Sequence, residues 1–260
     1  SLTRALDDPH VSVRVAALEG LGHQEHDGSM LYRFALTGEP TSIDTRPQDA
    51  ELVRSIVDSG RGIVLVGSHF GCLEYSRGIS RRHPGLVIHV LVYDQHAANV
   101  AQLLSEAAPE TRLNIIQLTN IDLDLALRLK ERIDNGEWLL IAGDRVPVGL
   151  SDNVCPAEFL GDKANFPLGP YVLGNLLHCP VYMMHCYFES GMYRLRVELL
   201  AEEIIASRKN RQRNYEPQAQ KFAAALEAQV KKAPLQWFNF YDFWGQGADE
   251  VRPLDGDVGF

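Results

Sequence analysis

His69 and Glu74 are the two residues of this 260-residue chain best suited to doing chemistry together. They lie in the stretch GIVLVGSHFGCLE, residues 62–74. Ile63, Val64, Leu65 and Val66, bounded by Gly62 and Gly67, read as a strand buried on both faces, and His69 falls just past its end. Glu74 is expected in the first turn of a helix that continues through Tyr75 and Ile79. An ionised carboxylate bonded to one imidazole nitrogen fixes the tautomer and leaves the other nitrogen free to take a proton from a hydroxyl, which is the base half of a catalytic site. Gly71 lets the chain turn sharply between strand and helix, and a helix N-terminus favours Glu74 in its charged form. Among 9 His and 34 acidic residues one such pair also arises by chance, so the other motifs carry the decision.

The second motif, GDRVPVG at residues 143–149, follows an expected strand over 138–142. Ligands of open α/β sheets bind beyond the carboxyl ends of strands, which brings Arg145 to the edge that carries His69. Arg145 suits a phosphate or a polarised carbonyl, with Asp144 aligning it; a surface ion pair closing a turn is the plain structural alternative. A third motif, KANFPLG at residues 163–169, leads into a helix over 171–177. Its bend directs backbone amides toward a substrate or simply joins loop to helix, and Lys163 is a charge contact. Arg208, Lys209, Arg211 and Arg213 form a basic cluster suited to an acidic carrier protein or anionic lipid, or a solvated surface. Trp237, Phe238, Phe240, Tyr241, Phe243 and Trp244 are an aromatic run, by default core and alternatively an acyl-chain groove or membrane contact.

The elements that must position these residues alternate. Helices are expected over 49–59, 98–107 and 122–135, and strands over 63–66, 87–93, 114–118 and 138–142. This rhythm gives an α/β fold with a mostly parallel central sheet flanked by helices on both faces. Residues 146–170 read mostly as loop with one short strand near 157–160. An antiparallel hairpin, 181–188 with 193–199, and a helix over 218–232 complete the second half. Residues 1–30 read as an N-terminal helix and loop, 31–244 as the α/β domain, and 245–260 as a tail.

Composition narrows the function. A net charge of -9 argues against a nucleic-acid partner. Cys72, Cys155, Cys179 and Cys186 contain no CxxC pair and no metal-ligand spacing, so a reduced intracellular protein without a bound metal is expected. No apolar run reaches the length of a membrane span.

The ordered set GSHFGCLE, GDRVPV, FLGDKANFPLGPYVLGNLLHCPV and PLQWFNFYDFW resembles the lysophospholipid acyltransferase superfamily, and within it the bacterial lipid A biosynthesis late acyltransferases and the acyltransferases of aryl-polyene clusters. His69 and Glu74 match the family's histidine, four spacers and acid. Gly71-Cys72 stands where Gly-Asn is usual, and Asp144-Arg145 where the lipid A branch more often has Asp-Gln. The resemblance implies acyl transfer from an acyl carrier protein or coenzyme A thioester to a hydroxyl or amine of a lipid or glycolipid acceptor. It makes His69 and Glu74 catalytic, and Ser68, Gly71, Asp144, Arg145, Lys163, Phe166 and Gly169 substrate-binding. It requires no cofactor beyond the thioester co-substrate. A cytoplasmic enzyme, peripheral on the inner face of the cytoplasmic membrane, is the expected setting. The rivals are a thioester or lipid hydrolase, against which the lack of a GxSxG elbow tells for the serine version, and a non-catalytic lipid-binding scaffold.

Overall fold

A computed structural model describes residues 43–71, 76–93, 113–118, 122–147, 150, 152–190, 192–206, 211–239 and 243–244. The N-terminal helix, the helix over 98–107, Glu74, Arg208, Lys209 and the tail expected from the sequence lie outside these residues.

Alternation of side chains along the central strands builds the molecule. Strand β1 (Ile43–Thr45) leads into helix α1 (Pro47–Asp58), then β2 (Ile63–Gly67), α2 (Ser76–Arg82), β3 (Ile88–Val92), β4 (Leu113–Gln117), α3 (Leu123–Asp134) and β5 (Trp138–Ala142). Val64 and Val66 of β2, with Leu139 and Ile141 of β5, face one core; Ile63 and Leu65, with Trp138 and Leu140, face the other. Residues two apart share a face of a strand, so a continuous apolar run here means a sheet covered on both sides. Helices α1 and α2 cover the second core through Val53, Ile56 and Ile79. Helix α3 closes part of the first through Leu125, Leu129 and Ile133, and Asp122 caps it by accepting the Leu125 N–H at 2.8 Å.

The chain continues through β6 (Val154–Phe159), β7 (Asp162–Pro167), α4 (Gly169–Leu177), β8 (Val181–Glu189), β9 (Met192–Ala201), α5 (Arg211–Val230) and a 3₁₀ turn (Pro234–Gln236). The seven-stranded sheet has the order β1-β9-β8-β2-β5-β3-β4, with every pairing parallel except β8 with β9. Asp49, buried in the first turn of α1, accepts from Arg46 Nε at 2.5 Å and from the Val197 N–H at 3.2 Å, which ties α1 to β9.

Two expectations are corrected. Residues 146–170 are not mostly loop, because β6 and β7 form a separate antiparallel hairpin. Its two-residue turn places Leu160 at φ 55° and Gly161 at φ 97°. Leucine rarely takes that conformation, and here the Leu160 N–H is held by Glu227 of α5 at 2.7 Å. Pro156 disguises the strand, but a two-stranded ribbon has outward-facing positions that need no N–H. Helix α5 starts seven residues earlier than residue 218, running through Pro217. Proline forfeits the bond to the carbonyl four residues back, and burial of Tyr215, Ala219 and Phe222 on either side compensates.

Gly71, just beyond β2, has φ 71°, and a Cβ there would lie 1.8 Å from the Cys186 carbonyl oxygen. At Gly161 the same addition meets nothing within 4 Å. Gly161→Ala should therefore cost only the left-handed strain of about 1–2 kcal/mol. Gly71→Ala adds a backbone clash and should cost well more, which urea unfolding of the two variants measures; equal losses would contradict the close approach.

Candidate active site

The register between β2 and β5 assembles the site. Gly67 is paired with Ala142, so His69 and Asp144, each two residues further on, emerge together at the C-terminal edge of the sheet. Gly143, immediately before Asp144, lets the end of β5 lie close to β2, since a Cβ there would lie 2.5 Å from Val66 Cγ1. His69 Nδ1 is 2.8 Å from Asp144 Oδ1, and the His69 backbone N–H donates to Asp144 Oδ2 at 2.8 Å. Trp237 Nε1 donates to the same Oδ2 at 3.0 Å.

Asp144 is fully buried, whereas the His69 side chain is 27% exposed. Burial by itself would raise the Asp144 pKa, but the charge of the His69 ring, with the hydrogen bonds from that ring, Trp237 and the His69 backbone, outweighs it and holds the carboxyl below its usual value. An ionised Asp144 fixes the proton of neutral His69 on Nδ1, leaving Nε2 as the acceptor.

A strap from the C-terminal part of the chain closes over this pair. Gly71 donates its N–H to the Gln236 carbonyl at 2.7 Å, and Phe238 donates to the His69 carbonyl at 2.9 Å. The Gln236 amide accepts from the Phe188 N–H and donates to the Phe188 carbonyl, each at 2.7 Å. Trp237 packs edge-on against Phe159 and Phe243, with ring centroids 5.1 and 4.8 Å away. Of the aromatic run, Phe243 thus supplies core and Trp237 a donor to the site, while Phe240 and Tyr241 lie outside the described residues.

The other residues singled out from the sequence divide. Ser68 is buried beside His69; its Oγ accepts the Phe70 N–H at 3.4 Å and lies 3.3 Å from Nδ1 of His185. Arg145 Nε donates to Asn239 Oδ1 at 3.1 Å and its guanidinium also bonds the Phe238 carbonyl, clamping the strap, while Asp144 bonds the His69 ring. Phe166 is fully buried among Phe159, Phe222 and Phe243, a packing position. Lys163 pairs across the exposed face of the β6–β7 hairpin with Glu158. Gly169 begins α4 beside the Tyr93 hydroxyl, at the end of β3.

Asp144 as the partner of His69, and the contributions of Trp237 and His185, were missed from sequence. The available signal was that His69 and Asp144 each fall just past the end of an expected strand, which helps only once those strands are known to be neighbours. Among the described residues no three His, Cys, Asp or Glu side chains converge as a metal-binding group.

Fold and site together define an α/β protein with a histidine–carboxylate pair at adjacent strand ends. The family model for bacterial lipid A biosynthesis acyltransferase matches residues 38–245, and the chain belongs to that family. Lipid acyl transfer in general, from an acyl donor to a lipid-type acceptor, follows from this membership. No curated protein matches the chain. Among the described residues no helix is long and apolar enough to cross a membrane.

Burial pushes the His185 pKa from 6.5 down to about 4, although the charge of Asp144 pulls it upward. Between those two values the unfolded chain binds a proton that the folded protein does not. Stability therefore falls as pH drops from 6.5 toward 4, by up to about 1.4 kcal/mol per pH unit from this one group. The unfolding free energy of His185→Phe should decline less steeply over that window than that of the wild type. Equal slopes in urea titrations at several pH values would contradict a neutral buried imidazole.

Proposed function

We propose that the protein transfers a fatty acyl group from an acyl carrier protein or coenzyme A thioester to a hydroxyl or amine of a lipid or glycolipid acceptor, with His69 as the general base. The observation that carries this reading is the 2.8 Å bond between His69 Nδ1 and buried Asp144. His69 Nε2 takes the acceptor's proton as its oxygen or nitrogen attacks the thioester carbonyl. The tetrahedral intermediate then collapses, the C–S bond breaks, and the thiolate leaves with the proton held on His69. Asp144 keeps the ring oriented and stabilises the imidazolium. Glu74, the acid of the sequence motif, supports that positive charge as a second carboxylate.

No covalent acyl-enzyme is needed. Burial pushes the thiols of Cys155 and Cys179 up to about 11, which makes them poor nucleophiles at neutral pH. In this reading Gly71 and Gly169 shape the substrate's surroundings, Ser68 supports the backbone that carries His69, Lys163 is a charge contact for the donor, and Arg145 and Phe166 support the walls. The same base activates water if the acceptor is withheld, so acyl transfer is distinguished from hydrolysis by the product.

The enzyme works in this reading as a peripheral protein at the cytoplasmic face of a membrane. Exposed Leu123 and Leu127 open α3, just past the C-terminal end of β4, and exposed Leu235 and Trp244 belong to the strap. Exposed apolar side chains, with Lys231 and Lys232 close in sequence to Leu235, are a composition suited to an anionic bilayer surface. Leu235→Asp combined with Trp244→Ser should release the protein from sedimenting anionic phospholipid vesicles without loss of folding. Unchanged sedimentation would remove this surface from the account.

The central test is incubation of palmitoyl-CoA and palmitoyl-carrier protein with lysophospholipid and glycolipid acceptors, read by mass spectrometry. Acylated acceptor is expected, and free palmitate alone would overturn transfer. His69→Ala should lower turnover by about 10²–10⁴, the usual worth of a general base. Asp144→Asn should lose more than Glu74→Gln; the reverse order would hand the orienting role to Glu74. A folded His69→Ala protein with wild-type turnover would end the proposal.

A further inference from the structure

We propose that His185 is a positioning residue for His69, acting through the hydroxyl of Ser68. Strand β8 runs parallel to β2 with Val64 opposite Val181 and Val66 opposite Met183, so two residues further on His185 comes level with Ser68, the residue immediately before His69. Its ring is buried and stacks on Phe222 of α5 with centroids 6.2 Å apart. Nδ1 lies 3.3 Å from Ser68 Oγ, which in turn accepts the N–H of Phe70 at 3.4 Å. The residues on both sides of His69 are therefore held by one hydroxyl, and that hydroxyl is held by His185.

The direction of the Ser68–His185 bond depends on the tautomer. In the proposed arrangement the serine's own proton goes to Nδ1 of His185, with the Phe70 N–H donating to Ser68 Oγ, which puts the imidazole proton on Nε2. Nε2 is buried and has no hydrogen-bond partner among the described residues. An apolar ring of the same shape would stack on Phe222 without leaving that nitrogen unsatisfied. Holding Ser68 is what the imidazole supplies in return. The charged group facing His185 is Asp144, and a neutral His185 does not compete with His69 for that carboxylate.

Ser68 accordingly acts on the geometry of His69 rather than on substrate affinity. The kinetic half of the test rests on the acyl-transfer reading above, and the spectroscopic half does not. In turnover of palmitoyl-CoA with the acceptor that it acylates, His185→Phe and Ser68→Ala should each lower kcat about tenfold with KM within twofold. The double variant should be no slower than the slower single one, and His185→Gln, which keeps an acceptor atom, should recover kcat to within threefold of wild type. Multiplied losses in the double variant, or a loss that appears in KM, would overturn the proposal. Independently of any turnover, ¹⁵N spectra of the histidine rings should show His185 with its proton on Nε2, and Ser68→Ala should shift its Nδ1 resonance. A proton on Nδ1, or a resonance indifferent to Ser68, would overturn it as well, and this arm remains decisive should His185→Phe fail to fold.

Discussion

A carboxylate taken fully out of water is tolerable only where the protein replaces its hydration, and the whole C-terminal edge of this sheet is arranged around meeting that need for Asp144. The hydrogen bonds come from parts of the chain far apart: the ring and backbone of His69, 75 positions away, and the indole of Trp237, 93 positions away. Neither can be moved without exposing or orphaning the charge. The strap's ladder to the turn after β2 and the clamp by Arg145 hold Trp237 in reach, so a segment distant in sequence is as much part of the site as the histidine motif.

The sheet below makes the approach possible. Paired residues of β2 and β5 fall level along their whole length, and the strands end together at Gly67 and Ala142. Beyond that line the backbone is released from the ladder except for one bond, from the Gly143 N–H to the Gly67 carbonyl at 2.8 Å. Rigid strands deliver the two side chains to one place, and the irregular residues after them turn His69 and Asp144 toward each other. Chemistry at the edge of such a sheet inherits the precision of the strand register, an advantage that a loop-borne pair would lack.

Most of the fold was legible because its signals are local. Continuous apolar runs marked β2 and β5, and Asp122 marked the start of α3, within a residue or two of where they occur. The elements that escaped are those where tertiary contacts override local preference: Leu160 in a left-handed turn secured by Glu227, and Pro217 carried inside α5 by the buried residues around it. The site was legible in half. His69 announced itself at a strand end, but sequence proximity favoured Glu74 as its partner, while Asp144 was assigned to the residue next to it. Only strand adjacency, which depends on the order β2-β5 rather than on any motif, brings Asp144 to the ring.

The charge on Asp144 decides which nitrogen of His69 serves as the base. Besides the histidine ring, the bonds described above come from a backbone N–H and an indole N–H, neutral donors that stabilise the carboxylate without cancelling it. Ionised Asp144 therefore holds the ring by Nδ1 and leaves Nε2 as the acceptor for a substrate proton. His185, neutral and directed to Ser68, adds no competing positive charge to the same carboxylate. The polar layer beneath the mouth thus fixes the orientation of the His69 ring before any substrate arrives.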